Sequence, residues 1–234
     1  MPRIWQPKAV LFDLDNTLID FMRMKRASCE AAISAMIDAG LQLGHGEAFG
    51  KLFALYDIHG IEHQRIFQKF LKDVSGGVDY RVLAAGITAY RRTQTGFLEP
   101  YPHVRTTLLH LKERGIKLGI VSDAPRLRAW IRLSEMNLSG FFDVVVTLGD
   151  TKRRKPHRMP FDAAIKLLGM RADEILFVGD NPARDIAGAK KVGMKTALAE
   201  YGLATSGLTG RGPEADYVLK DISDLMRIVG KPNP

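Results

Sequence analysis

From Lys8 to Phe12 the chain reads Lys-Ala-Val-Leu-Phe, an apolar run without polar alternation, the pattern of a strand buried on both faces of a parallel sheet. Comparable short runs recur at Lys117 to Val121, Asp143 to Val146, Ile175 to Val178 and Lys195 to Ala199, with a weaker one at Tyr217 to Leu219. Between them, apolar positions fall at helical spacing over Val104 to Arg114, Leu127 to Asn137, Phe161 to Leu168 and Ala183 to Val192. Gly115, Gly169 and Gly193 supply C-terminal stops. Strands alternating with helices predict an α/β fold, a doubly wound Rossmann-like parallel sheet core whose ligands bind beyond the carboxyl ends of the strands.

The alternation breaks from about Phe21 to Thr95, where helical periodicity continues without a convincing strand and glycines punctuate Gly40 to Gly50 and Gly76 to Gly77. This predicts an all-helical cap domain over residues 20–96, inserted between two segments of one core domain, 1–19 and 97–234. Because the insert leaves just after the first strand, it is expected over that strand's carboxyl end.

Composition narrows the class. Of 234 residues, 46% are hydrophobic and 26% charged, which fits a folded soluble protein rather than a disordered one. The lone cysteine, Cys29, excludes an intramolecular disulfide and Cys-rich zinc sites. The apolar run within Met1 to Ile19 is short and broken by Asp13 and Asp15, unlike a signal peptide or a membrane span, so a cytoplasmic location without membrane association is the default. A formal charge of +8 attracts anions. The basic residues are scattered apart from local groups at Lys152 to Lys155 and Arg23 to Arg26, a distribution that disfavours nucleic acid as the main ligand and suits a small phosphorylated substrate. Oligomeric state leaves no mark on the sequence.

Candidate chemistry gathers at the predicted strand ends. Asp13-Leu14-Asp15-Asn16-Thr17 follows the first strand, and in extended chain Asp13 and Asp15 point the same way. Two adjacent carboxylates repel, and a hard divalent cation held by oxygen ligands offsets that repulsion. Phe177-Val178-Gly179-Asp180-Asn181-Pro182-Ala183-Arg184-Asp185 repeats the design, a buried strand and then acids at a helix start. Turn and helix-capping roles are the alternative for all of these acids, most of all for Asp185. Ser122 and Asp123, at a third strand end, offer a hydroxyl and backbone N–H groups to a phosphate. Lys155, in Arg154-Lys155-Pro156, supplies a cation between the last two of these strands.

In this order, the four segments resemble the motifs of the haloacid dehalogenase superfamily, and the chain is similar to its phosphatase-type members with a large helical cap inserted after the first motif. The resemblance implies that Asp13 is the nucleophile and Asp15 the acid–base residue. It implies Mg2+ held by Asp13, Asp180 and the Asp15 carbonyl, with Asp185 binding directly or through water. Ser122, Asp123 and Lys155 would bind the transferring phosphoryl group, and Lys155 would also orient the nucleophile and offset its charge. Asn16 stands where glycine is frequent, and Ala124 where glycine or asparagine is. True dehalogenases of the family lack an acid matching Asp15, so Asp15 favours phosphoryl transfer, in which a leaving alkoxide needs a proton. The expected function is a magnesium-dependent phosphatase of a small phosphorylated metabolite. The alternatives are a phosphomutase of the same superfamily and, from another class, a non-catalytic protein binding nucleic acid or another polyanion. Arg23, Lys25, Arg26, His59, His63 and Arg65 are candidates for contacting substrate from the cap, and Phe49, Phe53, Tyr56 and Phe67 are expected in its core.

Overall fold

The computed structural model describes residues 5–206 and 210–230; of the expected core segments, 1–4, 207–209 and 231–234 lie outside that description. The chain divides into two compact units, one of Met1–Met22 with Glu99–Pro234, the other of Arg23–Leu98.

The first unit is built on one six-stranded sheet of β1 (Ala9–Phe12), β2 (Lys117–Ser122), β3 (Val144–Thr147), β4 (Ile175–Gly179), β5 (Lys195–Ala199) and β6 (Tyr217–Leu219). All neighbours pair in parallel, in the order β3-β2-β1-β4-β5-β6. Central β1 and β4 are buried along their whole length, as their unbroken apolar runs require, whereas β3 and β6 at the edges are partly exposed. The strand order reverses at β1, so the crevice beyond the ends of β1 and β4 is where a doubly wound sheet places its ligand.

The helices of this unit are α5 (Val104–Glu113), α6 (Arg126–Glu135), α7 (Leu148–Thr151), α8 (Arg158–Leu168), α9 (Ala187–Lys191), α10 (Glu200–Ser206) and α11 (Leu225–Ile228), numbered after four helices of the second unit. Ala9, Leu11, Ile175 and Phe177 on one sheet face bury against Phe161 and Ala164 of α8 and Ala189 of α9. The Phe161 ring meets Phe177 edge-on at 5.1 Å, and each such buried aromatic contributes about 1.5–3 kcal/mol. Gly188 makes room for that ring, since a Cβ there would lie 2.3 Å from it.

Local structure departs from the sequence reading in five places. The helix expected over Ala183 to Val192 is instead a wide π-helical turn, Pro182–Ile186, followed by α9. Helix α8 starts at Arg158, capped by the His157 ring, whose Nδ1 accepts from the Met159 N–H at 3.2 Å. Short α7, α10 and α11 were not anticipated, because four to seven residues are too few for an apolar period to show.

The second unit is helical: α1 (Phe21–Asp38), which starts two residues before it, α2 (His45–His59), α3 (Ile66–Ser75) and α4 (Tyr80–Phe97). Cys29, Ala32, Ile33 and Met36 line one stripe of α1 and pack with Leu52, Tyr56, Phe67, Phe70 and Leu83. Phe49 and Phe53 join this cluster partly buried, so these aromatics are core. Asp79 starts α4 by accepting from the N–H groups of Arg81 (2.8 Å) and Val82 (3.3 Å). Lys25 is buried here, its ammonium 4.2 Å from the Tyr56 ring centre and donating to the Tyr90 hydroxyl at 3.1 Å. Arg23 lies over Phe97 and Arg26 over Phe53, while His59 and His63 pair their rings at 5.2 Å. Arg65 is exposed at the start of α3. Among the described residues, no helix is long and apolar enough to cross a membrane.

Candidate active site

Asp13 continues β1 by one step, its N–H donating to the Val178 carbonyl at 2.9 Å, and so its side chain emerges beside the end of β4. Asp180 follows directly on Gly179, the last residue of β4. Asp185 reaches the same place through the π-helical turn. Its N–H donates to the Asn181 carbonyl at 2.8 Å, while the Asn181 N–H donates back to Asp185 Oδ2 at 3.0 Å. The extra residue in the turn folds the carboxylate back under the strand end, against the one spot where β4 carries no Cβ. A Cβ on Gly179 would lie 2.6 Å from Asp185 Cβ, Cγ and Oδ2.

Lys155 ties these acids together. Its Nζ lies 2.7 Å from Asp13 Oδ1 and 2.7 Å from Asp185 Oδ1, and donates to the Val121 carbonyl at 2.9 Å. Its own position is fixed by its backbone N–H, which donates to Asp123 Oδ1 at 2.9 Å. The Asp123 carboxylate is thereby turned toward Lys155 and toward Arg184, whose Nη1 lies 3.5 Å from Oδ2. Ser122 Oγ accepts from the Ala124 N–H at 3.1 Å, which leaves its own proton to donate outward.

Burial controls the electrostatics. Asp13, Asp180, Asp185 and Lys155 are all buried. Burial pushes Asp13 up to about 7, opposed by Lys155 and reinforced by Asp185. Burial, with Asp185 and Asp13, pushes Asp180 up to about 8. Burial alone would lower Lys155, yet Asp13, Asp185 and Asp123 together raise it, so it stays an ammonium.

Three acids outnumber the two cations that face them, Lys155 and Arg184, and leave the cluster short of positive charge. Asp13, Asp180 and Asp185 each offer an oxygen within 4.8 Å of the others, and both Asp180 oxygens are buried without a hydrogen-bond partner. Orphaned buried carboxylate oxygens beside two further acids fit a hard cation with oxygen ligands, and the residues present therefore suit magnesium.

The Asp15 carboxylate does not join this cluster; its Oδ2 lies 2.7 Å from Nη1 of Arg132 on α6. The sequence reading missed Arg132, although a signal existed: with Ala129 and Leu133 it occupies the buried stripe of α6, an unusual place for an arginine. It also missed Arg184, which sits inside the second acidic motif and whose charge faces Asp185, Asp13 and Asp123. Asn16, where glycine is frequent in the resembling family, adopts a left-handed φ of 58°, and its side-chain oxygen accepts from the Met22 N–H at 3.1 Å. A Cβ on Gly202 would meet the Asn16 carbonyl oxygen at 1.6 Å, so α10 rests directly on this loop.

The family model described as haloacid dehalogenase-like hydrolase matches residues 10–199. A glyceraldehyde 3-phosphate phosphatase of Methanocaldococcus jannaschii is 32% identical over 222 residues, covering 95% of this chain and 96% of that protein. The pyrophosphatase PpaX of Halalkalibacterium halodurans is 40% identical over 225 residues, covering 94% and 96%. Among solved structures, the HAD phosphatase from Thermococcus onnurineus superposes with a TM-score of 0.69 at 27% identity, covering 95% of this chain and 97% of that one.

Proposed function

This chain belongs to the haloacid dehalogenase-like hydrolases, and from that membership we propose that it is a magnesium-dependent phosphatase of a small phosphorylated metabolite, working through a phosphoryl group carried transiently on Asp13. The observation that carries the reading is the Asp13–Asp180–Asp185 cluster around Lys155, with both Asp180 oxygens buried and without a hydrogen-bond partner. In this reading residues 1–19 and 97–234 carry the chemistry, and the helical residues 20–96 serve as a cap that selects the substrate.

Asp13, Asp180 and Asp185, with the Asp15 carbonyl, would hold magnesium. When bound, the ion supplies positive charge that lets an anionic phosphate approach a cluster of carboxylates. Lys155 holds Asp13 Oδ1, so attack on phosphorus falls to Asp13 Oδ2. The new bond joins that oxygen to phosphorus as the ester oxygen departs in line. Asp15 gives its proton to the departing alkoxide and then takes one from the water that attacks the phosphorylated Asp13, which frees inorganic phosphate and regenerates both carboxyl groups. Ser122 donates a hydrogen bond from its hydroxyl to a phosphoryl oxygen. With its carboxylate occupied by Lys155 and Arg184, Asp123 contributes through its backbone N–H.

Glyceraldehyde 3-phosphate and pyrophosphate head the substrate panel, because relatives 32% and 40% identical are named as phosphatases of those compounds. Phosphate release from a broad panel, with magnesium and with chelator, is measured for wild type and Asp13→Asn. Magnesium-dependent release that the variant loses is the expected result. A positional isomer of the substrate without free phosphate would replace this reading with a mutase, and release by folded Asp13→Asn at the wild-type rate would end it.

A further inference from the structure

We propose that Arg132 is a positioning residue that fixes the orientation of the Asp15 carboxyl group; the inference rests on the acid–base role given to Asp15 above. Asp13 and Asp15, at this end of the sheet, lie against different cations. Lys155 lies against Asp13 and Asp185, and Arg132 lies against Asp15, its Nη1 2.7 Å from Oδ2. Two carboxylates spaced as Asp13 and Asp15 are would otherwise compete for the same positive charge, and a separate partner keeps the second in a place of its own.

The setting of Arg132 is built for that contact. Its side chain is 4% exposed, that of Asp15 is 23% exposed, and burying an arginine on the apolar stripe of a helix is costly unless it is paired. The guanidinium carbon lies over the Phe21 ring, 4.4 Å from its centre, and Phe21 is itself buried. Phe21 follows the loop that begins at Asp15 and is tied by the Asp15–Ile19 and Ile19–Pro100 bridges. Arg132 therefore grips both ends of one loop, a carboxylate at the start and an aromatic face at the end. A planar guanidinium can pair and stack at once, whereas a lysine ammonium reproduces the charge without the plane. Arg132 thus acts on turnover only through Asp15.

The test is a double-mutant cycle of Arg132→Met and Arg132→Lys in wild-type and Asp15→Asn backgrounds, with phosphate release as the readout and thermal melts to establish folding. Arg132→Met is expected to lower kcat about 10- to 100-fold at a KM within about twofold of wild type, with Arg132→Lys between the two. In Asp15→Asn, neither change should cost anything further, because the residue acts through Asp15. Wild-type kcat in Arg132→Met, or an equal loss in both backgrounds, would overturn the inference. Should Arg132→Met fail to fold, the Lys cycle decides by the same comparison. Absence of phosphate release by wild type removes the phosphatase reading and this role with it, whereas release that is indifferent to Arg132 removes this role alone.

Discussion

The ammonium of Lys155 lies 2.7 Å from Asp13 Oδ1, and the same nitrogen lies 2.7 Å from Asp185 Oδ1, with its side chain 1% exposed. One cation thus links a residue at the end of β1 to a turn that follows β4. Replacement by methionine leaves two buried carboxylates without their partner, a loss of about 3–5 kcal/mol for a buried pair broken on one side. Lys155→Met is expected to lower the melting temperature at neutral pH and to reduce kcat about 100-fold or more. Steady-state kinetics and calorimetry check both, and unchanged kcat would remove Lys155 from the chemistry.

Magnesium should stabilise the protein in a pH-dependent way. Asp13 is pushed up to about 7 and Asp180 to about 8, both chiefly by burial, against about 3.9 in an unfolded chain. A carboxyl group whose folded pKa is raised binds more protons folded than unfolded. Its contribution is therefore most favourable below about pH 4 and declines as pH rises to the folded value. Magnesium competes with those protons, so the melting-temperature gain over chelator-treated protein is expected to be larger at about pH 8 than at about pH 6. Asp180→Asn should abolish most of the gain. An equal gain at both pH values, or one retained by the variant, contradicts the metal assignment.

The strands were legible because β1 and β4 are buried along their whole length and β2 and β5 over most of theirs, and such burial leaves a short, largely apolar run in the chain. The acids at their ends were legible for the same reason, since a carboxyl group directly after such a run has few structural uses. The pairing of Arg132 with Asp15 was not, because the two lie 117 positions apart and only the fold brings them together. The turn at Pro182–Ile186 was hidden differently. Its residues have ordinary helical character, and the side-chain bond from Asp185 back to the Asn181 N–H is a local contact without a periodic signature.

Gly179 gives that turn its space. A Cβ there would stand 2.6 Å from three atoms of Asp185, well inside van der Waals contact. Gly179→Ala is expected to displace Asp185, to cost about 1–3 kcal/mol of stability as an overpacked site, and to weaken magnesium binding. Chemical denaturation and magnesium titration followed by calorimetry read the two effects. A variant with wild-type stability and metal affinity would show that Asp185 reaches the cluster without this cradle.

If Asp13 carries the phosphoryl group, rapid quenching of a turning-over reaction followed by peptide mapping for acyl phosphate captures it there. The account predicts a phosphorylated peptide containing Asp13 that forms with substrate and magnesium, decays as substrate is exhausted, and is absent from Asp13→Asn. Full turnover with no phosphoryl group on Asp13 at any quench time, together with turnover by Asp13→Asn, would contradict it.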